Sequence, residues 1–82
     1  MKQVVLIAED DPDVRRVLAK IVESVGFEPV CAEDGQSAWQ MLNERSVHLM
    51  LVDLVMPEMD GLELLERAKL KHPRAVSYTH LT

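Results

Sequence analysis

The sequence predicts a doubly wound α/β fold built on a parallel sheet, and three observations lead there. Two short, continuous apolar runs, Val4-Val5-Leu6-Ile7-Ala8 and Leu49-Met50-Leu51-Val52, are bounded by turn residues and read as strands buried on both faces. Strand and helix patterns alternate three times along 82 residues, with the start of a fourth strand, which implies right-handed crossovers and helices on both faces. Acidic residues close both runs, Glu9 and Asp10 after the first and Asp53 after the second. In such folds the ligand site lies at the carboxyl ends of strands flanking a switch in strand order. For the order 2-1-3 the switch falls between strands one and three, where these acids stand.

Each element follows from local chemistry. Asp11 can cap a helix with Pro12 at its first position, where no backbone donor is needed. Val14, Val17, Leu18, Ile21, Val22 and Val25 then form an apolar stripe of helical period, ended by Gly26. Residues 27–31 read as the second strand. Asp34-Gly35 opens a second helix that turns Ala38, Met41 and Leu42 inward and ends near Arg45. The third strand is 49–52. Asp60, with Glu63 three residues on, resembles a capping box for a third helix whose buried side is Leu62, Leu64, Leu65 and Ala68. Lys69, Lys71 and His72 suit the negative end of that helix, and Pro73 stops it.

The bulk numbers narrow the function. A hydrophobic fraction of 48% suits a globular core, and 4% aromatic means that core is aliphatic. The net charge of -5 argues against direct binding of nucleic acid or an anionic membrane by this segment. The single cysteine, Cys31, allows no internal disulfide and suits a reducing cytoplasm. No stretch reaches the roughly 20 apolar residues of a membrane span. His48, His72 and His80 lack metal-ligand spacing, and three glycines make no phosphate-cradling loop.

If strands one and three are parallel neighbours, their ends lie roughly 5 Å apart. Paired carboxylates at that distance repel by about 3 kcal/mol at an effective dielectric near 20, so a cation belongs among them. Magnesium takes oxygen ligands and keeps several waters. Asp10 and Asp53 are placed as direct ligands, Glu9 as a direct or water-bridged one, and the backbone carbonyl of Val55 as a further candidate. A carboxylate beside bound magnesium can attack a phosphoryl group and form an acyl phosphate. Against this stands simple helix capping, the expected role for Asp11, Asp13, Asp34 and Asp60.

The chain resembles the receiver domain of bacterial two-component response regulators. The residues that carry the resemblance are Val4-Val5-Leu6-Ile7-Ala8-Glu9-Asp10-Asp11-Pro12 and Asp53-Leu54-Val55-Met56-Pro57-Glu58-Met59-Asp60-Gly61, and it runs from about Lys2 to Val76. It implies a flavodoxin-like fold of strand order 2-1-3-4-5, with Asp53 phosphorylated by a histidine kinase or phosphotransfer protein. Glu9, Asp10, Asp53 and the carbonyl of Val55 would hold Mg2+, and the phosphorylated domain would regulate an output partner. That is a cytoplasmic signalling role, with phosphotransfer and autodephosphorylation at Asp53 the only chemistry. Glu9 stands where the family more usually has aspartate, and its extra methylene favours a water-bridged contact.

The resemblance also exposes departures. The family continues into a fourth strand ending in Thr or Ser and a fifth ending in Lys. The chain stops at Thr82, so the fifth strand and last helices are missing from the expected fold. Residues 1–76 thus read as a partial receiver domain. Residues 77–82 read as an atypical tail resembling sequencing-adaptor read-through, too polar at Ser77-Tyr78-Thr79-His80 for a central buried strand. Two other functions compete. A pseudo-receiver, binding partners without phosphorylation, fits the missing lysine and hydroxyl but not the intact acids. A magnesium-dependent aspartate phosphatase would want a general acid two residues past Asp53, where Val55 stands.

Overall fold

The computed structural model describes residues 2–53, 61–71 and 77–81, and the side chains within them except those at 53, 61, 62, 65 and 77–81. The elements run β1 (Val4–Ala8), α1 (Pro12–Ser24), β2 (Glu28–Ala32), α2 (Gly35–Glu44), β3 (Leu49–Asp53), α3 (Gly61–Lys71) and β4 (Ser77–Leu81). All strand pairings are parallel, in the order β2-β1-β3-β4. The predicted order is therefore observed, and β1 and β3 are neighbours.

Side chains of β1 alternate between two cores, as the strand period requires. Leu6 and Ala8 face a larger core with Met50 and Val52 of β3, Ala38 and Leu42 of α2, and Leu64 and Ala68 of α3. Val5 and Ile7 face a smaller one with Val22 of α1, bordered by Leu18, Phe27, Cys31, Leu49 and Leu51. Helices thus cover both faces of the sheet. Met41 and Trp39 are half-buried, and Lys71 of α3 lies over the Trp39 ring at 5.5 Å, joining α3 to α2. The expected inward residues Leu62 and Leu65 fall on side chains outside those described.

The helix starts obey their capping residues. Asp11 Oδ1 accepts from the backbone N–H of Asp13 at 2.9 Å and Val14 at 3.4 Å. Asp34 Oδ1 accepts from that of Ser37 at 2.8 Å. Replacing Asp11 by alanine should therefore cost about 1 kcal/mol, measurable as a lower urea midpoint at unchanged slope. Asp13 departs from expectation. It lies inside the first turn and forms an exposed pair with Arg16 at 3.4 Å instead of a cap. Gly26, at φ +95°, ends the α1 region in the left-handed conformation that a Cβ disfavours. The Asp60 cap and the stop at Pro73 lie outside the described residues.

Three features go beyond the sequence reading and have physical causes. Of the α1 stripe only Val22 is buried and Leu18 is half-buried, while Val17, Ile21 and Val25 are more than half exposed. The stripe is wider than the face that α1 packs on β1 and β2, where Val22, Leu18 and Ala19 meet the smaller core. Second, Ser77–Leu81 pairs along β3, from Leu49↔Ser77 to Asp53↔Leu81, despite its polarity. A ladder is made by backbone groups, Tyr and Thr favour extended chain, and among the described residues β4 has a neighbour on one side only. Third, His48 is exposed but not idle. Val4 N–H donates to His48 Nδ1 at 3.0 Å and His48 N–H donates to the Val4 carbonyl at 2.9 Å. These bonds fix the start of β1 beside β3.

Candidate functional site

The site begins with strand register. The last β1–β3 pair is Ala8↔Val52, so one residue further along each strand stand Glu9 and Asp53. The backbone brings the predicted acids of both strands to one end of the sheet, at the position where order switches from β1–β2 to β1–β3.

Glu9 is the last rung of the ladder to β2, its N–H donating to the Ala32 carbonyl at 3.1 Å. The residue is 6% exposed, and a buried carboxylate must be hydrogen-bonded. The backbone N–H of Asp11 supplies one such bond to Glu9 Oε2 at 3.2 Å. Asp10, between them, is exposed. Glu9 therefore points one oxygen back onto its own turn, while Asp10 stands in solvent at the strand end.

Arg15, in the first turns of α1, was not legible as part of this site. Its Nη1 donates to the Glu9 carbonyl at 2.8 Å and its backbone N–H to the Asp11 carbonyl at 2.9 Å. The only sequence signal was its place six residues after the first acid, which carries no chemistry without the turn geometry.

Arg15 also lines a shallow cleft with Cys31, Glu33, Ser37 and Met41. Burial pushes the Cys31 thiol above its ordinary value of 9.0, and the Arg15 charge opposes this only in part. The folded protein thus favours the neutral thiol. Its stability contribution is full below the unfolded thiol's range and falls as pH rises from about 9 through the raised folded value. Native Cys31 should react with a thiol reagent at pH 8 more slowly than the denatured chain does; equal rates would refute the effect.

Of the predicted set, the structure places Glu9 and Asp10 together and brings the backbone of Asp53 beside them. Val55 and the Asp53 side chain lie outside the described parts. Among the described residues no group of three His, Cys, Asp or Glu side chains assembles to hold a metal. The candidate donors are all oxygens, two carboxylates on β1 and its turn with a third acid at the end of β3. Such a donor set suits hard cations, magnesium, calcium and manganese among them.

A parallel α/β sheet with acids gathered at its switch point defines a class of small α/β proteins whose chemistry sits at the strand ends. The chain's family within that class is fixed by comparison with known proteins. Residues 5–80 match the model of the response regulator receiver domain, and the chain belongs to that family. It is 48% identical over 64 residues to the response regulator receiver protein CpdR of Brucella abortus, covering 78% of this chain and 53% of CpdR. It thus spans about half of that relative's length. Among solved structures, a response regulator receiver protein from Pseudomonas putida superposes with a TM-score of 0.89 at 26% identity, covering 99% of this chain and 68% of that one. The response regulator TrrA of Thermotoga maritima, solved in complex with Mg(2+)-BeF, gives 0.86 at 26% identity, covering 95% and 66%. Receiver domains are signalling domains rather than classical enzymes, and no helix among the described residues is long and apolar enough to cross a membrane.

Proposed function

We propose that this chain is a phosphoacceptor module in which Asp53 takes a phosphoryl group from the phosphohistidine of a histidine kinase or phosphotransfer protein. An Asp53 carboxylate oxygen bonds to phosphorus, the phosphorus–nitrogen bond breaks, and the imidazole leaves as the neutral ring once protonated. Water later cleaves the acyl phosphate and restores the carboxylate. Glu9, Asp10, Asp53 and the Val55 carbonyl would hold Mg2+, which would offset negative charge on the phosphoryl oxygens. The chain's own residues set the stage: β1 and its turn carry Glu9 and Asp10, and β3 delivers Asp53 to the same end of the sheet. The observation that supports this best is the β1–β3 register, which puts Glu9 and Asp53 one step beyond the Ala8↔Val52 pair. The Mg(2+)-BeF complex of TrrA, a relative in fold and family, adds weight.

The phosphorylated module then acts on an output domain or protein, within the cytoplasm, where kinase, magnesium and a reduced Cys31 are found together. The test is incubation with acetyl phosphate, which needs no cognate kinase. The expected result is one phosphoryl group per chain with magnesium and none with excess chelator. Folded protein that stays unlabelled with magnesium would overturn the reading.

A further inference from the structure

We propose that Arg15 is a positioning residue for the magnesium site, an inference that rests on the phosphoacceptor reading above. Arg15 grips the chain on both sides of Asp10. Its guanidinium holds the carbonyl of Glu9 at 2.8 Å and its backbone N–H holds the carbonyl of Asp11 at 2.9 Å. Glu9 is fixed further by its N–H on Ala32 and by Asp11 N–H on its Oε2. The three residues Glu9 to Asp11 are therefore tied at each end, and Asp10 is carried on a short span with little freedom. The Arg15 side-chain bond, like that from Asp11 N–H to Glu9 Oε2, is a contact that ordinary strand or helix geometry does not supply. It crosses from α1 to the residue that follows β1, and so ties the first turns of the helix to the end of the strand.

The sign of a substitution separates this role from a charge effect. A guanidinium is a positive charge near a site for a divalent cation, and deleting charge alone should tighten magnesium binding. Deleting a positioning contact should weaken it, because partners that orient metal ligands are commonly worth 10–100-fold in metal affinity. The effect on geometry is thereby opposed in direction to the effect on charge.

The experiment is calorimetric titration of the full chain with Mg2+, alongside amide hydrogen exchange without metal. Arg15→Met keeps the side-chain bulk in the cleft against Cys31 and Met41 but donates nothing; Arg15→Gln, neutral and shorter, serves as a second such variant. Both should bind magnesium roughly tenfold more weakly than the wild type and show faster exchange at the Asp11 amide. Arg15→Lys, with a donor on a long stem, should recover most of the affinity. Arg16→Ala removes a neighbouring charge whose pair with Asp13 is exposed and should bind as the wild type does. Magnesium binding in Arg15→Met and Arg15→Gln equal to or tighter than in the wild type would overturn the positioning role while leaving the phosphoacceptor reading intact. Absence of magnesium binding in the wild type would overturn that reading and this inference with it.

Discussion

Asp53→Asn should reduce magnesium-dependent labelling by acetyl phosphate to background while leaving the fold at least as stable as before. Asparagine keeps the shape of aspartate and removes the anionic nucleophile, so the acyl phosphate cannot form. It also removes one member of the acid group at the strand ends. In the metal-free protein, repulsion between carboxylates about 5 Å apart is worth about 3 kcal/mol at an effective dielectric near 20, and solvent around the exposed Asp10 reduces that. The variant should therefore melt at the same temperature or higher without magnesium, and should gain less stability than the wild type when magnesium is added. Loss of labelling with retained stability distinguishes removal of the acceptor from unfolding. Labelling of Asp53→Asn at the wild-type level would mean that another residue accepts the phosphoryl group.

Two parts of the molecule show why some of it was legible in the sequence and some was not. Val4–Ala8 could be read directly, since a short apolar run bounded by turn residues and too brief for a helix fits a strand covered on both faces, and both clusters that cover it are present. The caps at Asp11 and Asp34 were equally legible, because their chemistry is local and extends only two or three residues. The same locality made Glu9, Asp10 and Asp53 stand out as strand-end acids. What placed them together was the order of the strands, which the alternation of elements supports but which only tertiary pairing fixes.

Arg15 and His48 were beyond that reach. The bond from Arg15 to the Glu9 carbonyl depends on the angle between α1 and β1, and that from Val4 to His48 spans 44 residues. Neither leaves a periodic trace. The α1 stripe shows a different limit, because periodicity reports that a helix has an apolar side without reporting how much of that side meets a neighbour. Composition at Ser77–Leu81 speaks against a central buried strand but not against pairing along β3, because strand pairing is a backbone interaction. Both burial and strand pairing depend on partners elsewhere in the chain, which a local side-chain pattern does not carry.

That distinction sets the second large effect. Leu6→Ala should destabilise the chain by about 3–4 kcal/mol, within the 2–5 kcal/mol found for buried leucines. Leu6 is fully buried at the middle of β1, the strand with β2 on one side and β3 on the other. The core around it is shared by β3, α2 and α3, so the lost methyl groups leave a gap that no single element can close. An 82-residue domain has about 4–12 kcal/mol of stability in total, and this one change would consume a large part of it. Val17→Ala, also apolar and on a regular element, should change stability by only a few tenths of a kcal/mol, since Val17 is 56% exposed and alanine favours the helix. Urea unfolding of both variants checks the pair. A loss below 1 kcal/mol for Leu6→Ala would place the stabilising core elsewhere than around β1.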